Sequence, residues 1–277
     1  MGAILLVARP RFSSAFYDPN MTAYFERLGP QTFRATDAVQ GAWNTAEQHI
    51  APTIGLLANL IERDRDARRD DTLVLGRLSY DILGVLPIDI VEVEIRIIRP
   101  GRTIELVEAT LSHAGRAAVI VRAWLMQAVH TRELAGGALP VMPPLDTHAE
   151  WDAGTLWPGA FVRSGDFRHR EAEPGRASAW AMPHLPLIAD EPVSATARAL
   201  GLVDLANGLT PRVPIGAAFF PNVDLTAHLF REPDEGWIGL DTTVTFGASG
   251  IGVTHTILND HAGPFGVSMQ SLTVRPL

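Results

Sequence analysis

The sequence predicts an α+β protein built as two copies of one unit, each an antiparallel sheet with a single helix covering it. Three observations predict this. The tripeptide His-Ala-Gly stands at 113–115 and again at 261–263, an offset of 148. Each copy closes a run with the same order: short strands, one apolar helix, then four β segments. A stretch rich in proline and glycine, 133–157, separates the two runs and reads as a linker. The period is far too long for a solenoid, so it reads as a duplicated domain. An antiparallel sheet has an apolar face to bury, and one helix per unit covers it.

Residues 1–20 read as an N-terminal arm. Its apolar run, Ala3 to Ala8, has no basic segment before it and is ended by Arg9 and Pro10, unlike a secretory leader. The first unit spans 21–132. "AYFERLGPQTFRATDAV" reads as two short strands around Gly29-Pro30. A helix follows from Pro52 to Arg63, with Leu56, Leu57, Leu60 and Ile61 on one side. Pro52 suits the first helical turn, where its missing N–H costs nothing. The charged run "ERDRDARRDD" ends this helix as solvated loop. Four strands come next: "TLVLGRLSYDILG", "IDIVEVEIRIIRPG", "TIELVEATLSHAG" and "RAAVIVRAWLMQAV". The second alternates cleanly, Val91, Val93, Ile95 and Ile97 against Glu92, Glu94 and Arg96.

The second unit, 158–277, repeats the pattern. "FVRSGDFRHRE" and "ASAWAMPHL" are strands, and "PVSATARALGLVDLANG" is a helix ending near Gly208 as its C-terminal glycine. The last four strands are "AAFFPNVDLTAHLF", "WIGLDTTVTFG", "IGVTHTILND" and "FGVSMQSLTV".

Composition narrows the function. The 277 residues are 47% hydrophobic and 19% charged, as expected of a chain with a well-filled core. A net charge of −8 gives no bulk attraction to nucleic acid or to an anionic membrane, and no apolar stretch approaches the ~20 residues of a transmembrane helix. There is no cysteine, which excludes disulfides and thiolate chemistry and fits a cytoplasmic protein. The nine histidines lack metal-ligand spacing. Neither a nucleophile elbow nor a phosphate loop is present: "GASGIG" at 247–252 precedes a strand, and "RPGR" at 99–102 is a strand corner.

Three polar positions stand out. Asp204 shares a helix face with Leu200, Ala197 and Val193, where a carboxylate is costly unless hydrogen-bonded; the alternative is an acid reaching water near the helix end. Gln270 lies between Ser268 and Leu272 on the buried face of the last strand. The offset of 148 pairs it with Arg122, which implies that both copies tolerate a polar group there. In "FPNVDLTAHLF", Asn222, Asp224, Thr226 and His228 alternate with Val223, Leu225, Ala227 and Leu229; as an ordinary amphipathic strand, its polar row would face solvent or a partner subunit.

Several segments carry a resemblance. "HIAPTIGLLANLIER" and "VEVEIRIIRPGRTIELVEATLSHAG" in the first half, and "LGLVDLANG", "NVDLTAHLFREPDEGWIGLDT", "GIGV" and "DHAGPFGVSMQSLTV" in the second, resemble the acyl-CoA thioesterase II, or TesB-like, family. The match runs from about Tyr24 to Pro276. It implies a double hotdog fold, two tandem units each with a long helix wrapped by an antiparallel sheet. It also implies hydrolysis of acyl-CoA to free acid and CoA; no cofactor or metal is expected, and the strand face from Asn222 to His228 with the two outer sheets offers surfaces for a homodimer. In that family an Asp on the second helix, a hydroxyl residue opening the next strand and a Gln on the last strand hold the hydrolytic water. Asp204, Asn222 and Gln270 match these positions, with Asn222 where better known members have Thr; Asn can both accept and donate hydrogen bonds. The start of the first helix, at His49, Ile50, Pro52 and Thr53, would supply backbone N–H groups for the oxyanion.

Two other classes remain in view. A hotdog enoyl-CoA hydratase or acyl dehydratase typically shows D-x-N-x-x-H, but after Asp204 this chain has Ala206 and Leu209. A non-catalytic acyl-CoA-binding protein is the second, suggested by Asn222.

Overall fold

The computed structural model describes residues 21–71 and 73–277. The expected arm at 1–20 lies outside them. The first run holds β1 (Phe25–Arg27), β2 (Thr32–Ala35), α1 (Ile50–Arg68), β3 (Leu73–Ile82), β4 (Ile90–Arg99), β5 (Ile104–His113) and β6 (Arg116–Gln127). The second holds β7 (Ala149–Trp151), α2 (Ala160–Arg163), β8 (Gly165–Glu173), β9 (Arg176–Pro183), α3 (Ala195–Val203) and α4 (Leu205–Leu209). It ends with β10 (Ala218–Phe219), β11 (Asp224–Leu229), β12 (Ile238–Phe246), β13 (Ile251–Asp260), β14 (Gly263–Thr273) and β15 (Arg275–Pro276).

Thirteen of these strands form one sheet in the order β1-β2-β4-β5-β6-β3-β11-β14-β13-β12-β9-β8-β7. The seam is the antiparallel pair β3–β11, where Ser79 faces Thr226 and their hydroxyls bond at 2.9 Å. Outward from it the order mirrors itself: β6, β5, β4, β2 on one side and β14, β13, β12, β9 on the other. This is the double hotdog fold, two helix-and-sheet units sharing one continuous sheet.

The helices α1 and α3 pack against each other at Gly55 and Gly201. A Cβ on Gly55 would stand 2.8 Å from the Ala197 carbonyl oxygen and 2.9 Å from Gly201 Cα, so only glycine permits this approach. The crossing is nearly symmetric, since a Cβ on Gly201 would face Gly55 Cα and the Ala51 carbonyl. It aligns Ile54-Gly55-Leu56-Leu57-Ala58 with Leu200-Gly201-Leu202-Val203-Asp204. Asp204 therefore occupies the place of Ala58, a fully buried core residue.

Four features differ from the sequence-based expectations. First, the charged run does not end α1, which continues to Arg68. Its charges are paired: Arg68 donates to Asp64 one turn back (2.7 Å), Arg65 to the Leu73 carbonyl (2.6 Å), and Ser194 Oγ to Glu62 (2.5 Å). Glu and Arg are good helix formers once so partnered. Second, the helix of the second unit is interrupted at Asp204 and resumes as α4, so Gly208 lies inside a helix. Its lack of a side chain lets the Trp157 ring approach to 3.5 Å of where a Cβ would be, and Trp157 Nε1 donates to the Gly208 carbonyl at 3.0 Å. Third, Ala149–Trp151 within the expected linker pairs with β8 as the sheet edge. Residues before it are fastened to the sheet, with Ser178 Oγ and His148 Nε2 2.8 Å apart and Trp180 Nε1 donating to the Pro143 carbonyl.

Fourth, the two His-Ala-Gly copies are not structurally equivalent. Both hairpins carry one bulge, between Leu111 and Ser112 in the first and between Leu258 and Asn259 in the second. Matching these gives an offset of 147 (258 − 111), one less than the tripeptide suggests. The turn residues of the first are Ala114 and Gly115, both at positive φ (47° and 75°), whereas in the second only Gly263 is (111°). The first hairpin matches the primed turn that suits two-residue connections. The equivalent of Gln270 is therefore Ala123, fully buried, and not the exposed Arg122. A polar group at this position belongs to the second unit alone.

The crossing gives an asymmetric prediction. Gly55→Ala should destabilise by about 1–3 kcal/mol, because backbone atoms block the new methyl. Gly201→Ala, whose Cβ would meet nothing closer than 3.7 Å, should be neutral or stabilise by up to ~1 kcal/mol from helix propensity. Urea unfolding of both variants checks this.

Candidate active site

The fold brings Asp204, Asn222 and Gln270 together from three elements. Asp204 sits at the break between α3 and α4, still in helical conformation (φ −70°, ψ −13°). Asn222 lies just ahead of β11, where the chain passes Pro221 and runs beside β14 through an isolated bridge to Leu272. Gln270 projects from the buried face of β14, between Ser268 and Leu272.

Their polar atoms converge on one oxygen. Asp204 Oδ1 accepts from Asn222 Nδ2 at 2.8 Å and from Gln270 Nε2 at 2.7 Å. Asn222 Nδ2 also reaches the Asp224 carbonyl at 3.1 Å. Asp204 Oδ2 has no hydrogen-bond partner among the described residues; His49 Nδ1 lies 3.7 Å from it. That separation is too long for a hydrogen bond. Burial pushes the Asp204 carboxyl up to about 6, opposed by the bonds from Asn222 and Gln270.

Asp204 and Asn222 line a cleft of about 290 Å³, while Gln270 stands behind them. The wall carries Trp43 and Trp157, edge to face at 4.8 Å, with Leu205, Leu209 and Val162; Leu83 and Val85 lie along it, largely exposed. A mostly apolar cavity with a few convergent polar groups is the usual form of a small-molecule site. Sequence reasoning did not find Trp43 or Trp157, since isolated aromatics carry no periodic signal and Trp157 fell in the expected linker.

Of the four residues expected at the first helix, His49 and Ile50 reach the cleft and the other two do not. Pro52 has no N–H to donate, and Thr53 is fully buried with its hydroxyl turned to Gln48 at 3.3 Å. His49 caps α1, its Nδ1 accepting from the Ala51 N–H at 3.2 Å. Burial lowers its pKa to about 4, so the imidazole is neutral near pH 7.

Gln270 is a cost to the fold. Its Oε1 is buried and has no partner among the described residues, a defect worth roughly 1–3 kcal/mol. The alanine at the matching position of the first unit avoids it. Thr226 is not a substitute for Asn222: its hydroxyl is engaged at the seam with Ser79.

The chain matches family models for the acyl-CoA thioesterase N-terminal domain over residues 39–126 and C-terminal domain over residues 137–274. It belongs to the acyl-CoA thioesterase family of TesB-like, double hotdog proteins. Solved structures share its fold. An acyl-CoA thioesterase II, TesB2, from Mycobacterium marinum aligns with a TM-score of 0.65 at 16% identity, covering 91% of this chain and 96% of that one. The tesB protein of Mycobacterium avium subs. paratuberculosis gives 0.64 at 16% identity with the same coverage. A hot dog fold protein of unknown function from Alicyclobacillus acidocaldarius gives 0.68 at 12% identity, covering 91% and 96%. No curated protein matches the chain. Among the described residues, no helix is long and apolar enough to cross a membrane.

Asp204 links the site to stability. A carboxyl raised above its ordinary 3.8 favours folding while protonated and loses that contribution as pH rises from about 4 through 6. At neutral pH the ionised acid costs on the order of 3 kcal/mol, at about 1.4 kcal/mol per pH unit. Asp204→Asn keeps an acceptor for Asn222 and Gln270 and removes the charge. It should be the more stable protein at pH 7.5, with the difference vanishing near pH 4, as followed by urea unfolding at both values.

Proposed function

We propose that this chain hydrolyses acyl-CoA thioesters to the free acid and CoA, with Asp204 as general base. One observation carries the reading: a buried carboxylate that lines an apolar cleft has one oxygen held by two amides and the other without a hydrogen-bond partner among the described residues. Asp204 Oδ2 takes a proton from water as the water oxygen attacks the thioester carbonyl carbon. The tetrahedral oxyanion collapses, the C–S bond breaks, and the leaving thiolate takes up the proton held on Asp204, which gives CoA and restores the base. Asn222 and Gln270 serve chiefly as positioning residues. Their donors are engaged by Oδ1, so they orient the base and keep its pKa from rising further. A positioned base is worth ~10²–10⁴-fold.

Asn222 performs here what the hydroxyl residue of the family would. An amide N–H can donate to a carboxylate as a hydroxyl can, so the substitution is compatible with catalysis. The apolar cleft would take the acyl group.

Thiol release from acyl-CoA chains of graded length tests the reading. Wild type should turn over at least one of them, with activity rising with pH through about 6 as Asp204 ionises. Asp204→Asn should lose ~10²–10⁴-fold in kcat. Gln270→Leu should fold and move the acid limb to higher pH, since one of the bonds lowering the Asp204 pKa is gone. Binding of acyl-CoA without any turnover would favour the acyl-binding alternative.

The same reading has the protein act as a homodimer in the cytoplasm. Exposed Ile251, Val253 and Met269 on the outer face of β13 and β14 support a partner surface there. Light scattering should give about twice the 30.0 kDa chain mass.

A further inference from the structure

The imidazole of His49 is fixed by the helix it caps. Its Nδ1 accepts a hydrogen bond from the Ala51 N–H, so Nδ1 carries no proton and a neutral ring must carry it on Nε2. Nε2 lies on the opposite edge of the ring and has no hydrogen-bond partner among the described residues. The ring lines the cleft, packs against Phe161 at a centroid distance of 4.8 Å, and holds Nδ1 3.7 Å from Asp204 Oδ2. His49 and Asp204 thus both line the cleft, the ring standing beside the carboxylate at the start of one helix and the end of another.

We infer that His49 is a catalytic residue, its Nε2–H donating to the thioester carbonyl oxygen and to the oxyanion that forms there. This rests on the thioesterase reading and deepens it. A neutral imidazole is the better choice beside Asp204. An imidazolium would pair with the carboxylate and lower its basicity, whereas a neutral N–H polarises a carbonyl without touching the base. Desolvation of the ring acts in the same direction. In the arrangement proposed, a water on Asp204 Oδ2 would attack a carbonyl held on Nε2–H at the ~3–3.5 Å of a near-attack geometry. The second unit has no counterpart: by the glycine crossing the matching residue is Ala195.

Two variants separate this role from helix capping. Asparagine is a good cap but cannot reach as Nε2 does, so His49→Asn should keep the wild-type melting temperature. It should lose about 10²–10³-fold in kcat, the cost of one oxyanion donor, with KM little changed. Its acid limb should stay near 6, because Asp204 remains the base. His49→Gln, with a longer reach and a poorer cap, should recover part of kcat and lose stability. Two spectroscopic readouts do not need turnover. Nitrogen-15 spectra of the imidazole should show the Nε2–H tautomer. Binding of a CoA ketone, with a methylene between sulfur and carbonyl, should shift the Nε2–H proton downfield. A folded His49→Asn variant with wild-type kcat, an Nδ1–H tautomer, or a ketone complex that leaves that proton unmoved would each overturn the proposal. If wild type cleaves no thioester at all, the thioesterase reading fails, and the ketone complex alone decides whether His49 donates to a carbonyl.

Discussion

The contact of α1 with α3 at Gly55 and Gly201 sets the distances on which the site depends. With no side chain at either position the two backbones approach closely, and the start of one helix comes beside the end of the other. His49 and Asp204 are far apart in sequence and lie 3.7 Å apart because of this contact. Neither unit alone contains both residues. The second unit supplies the carboxylate and its two amides, and the first supplies the imidazole and part of the cleft wall.

The carboxylate is held against the preference of its surroundings. Burial opposes its charge, and the bonds from Asn222 and Gln270 offset only part of the cost, leaving its pKa well above that of an ordinary aspartate. Gln270 adds a defect of its own, an orphan carbonyl oxygen where the other unit has a methyl group. Groups that lower stability while converging on a cleft are explained better by chemistry than by folding.

Much of this was legible in the sequence. Alternation marked β4, the periodic leucines marked α1, and the repeat gave the order of both halves. Asp204 and Gln270 were conspicuous because each interrupted an apolar face. Four things were not legible, each for a physical reason. The run from Glu62 looked like solvent-exposed loop because several of its partners, Glu191 for Arg63, Glu105 for Arg68 and Ser194 for Glu62, are distant in sequence. The repeated tripeptide misled by one residue, since identical residues occupy different turn conformations and only the bulges reveal the true register. Gly208 resembled a helix terminator because nothing local announces that Trp157 needs the space. The cleft itself is tertiary, assembled from α4, the start of α1 and loops far apart in the chain.

The mirrored sheet bears on stoichiometry. Two identical single-unit chains meeting at the same seam would build two equivalent pockets. Here the positions matching Asp204 and Gln270 are Ala58 and Ala123, both sealed in the core, and the position matching His49 is Ala195. In a single chain the two halves need not carry the same side chains. In the first unit these positions serve hydrophobic packing, while its helix still lines the cleft at His49 and Ile50. The polar residues of the second unit thus have alanines at the matching positions of the first, so the symmetry of the backbone is not carried by the side chains at these places.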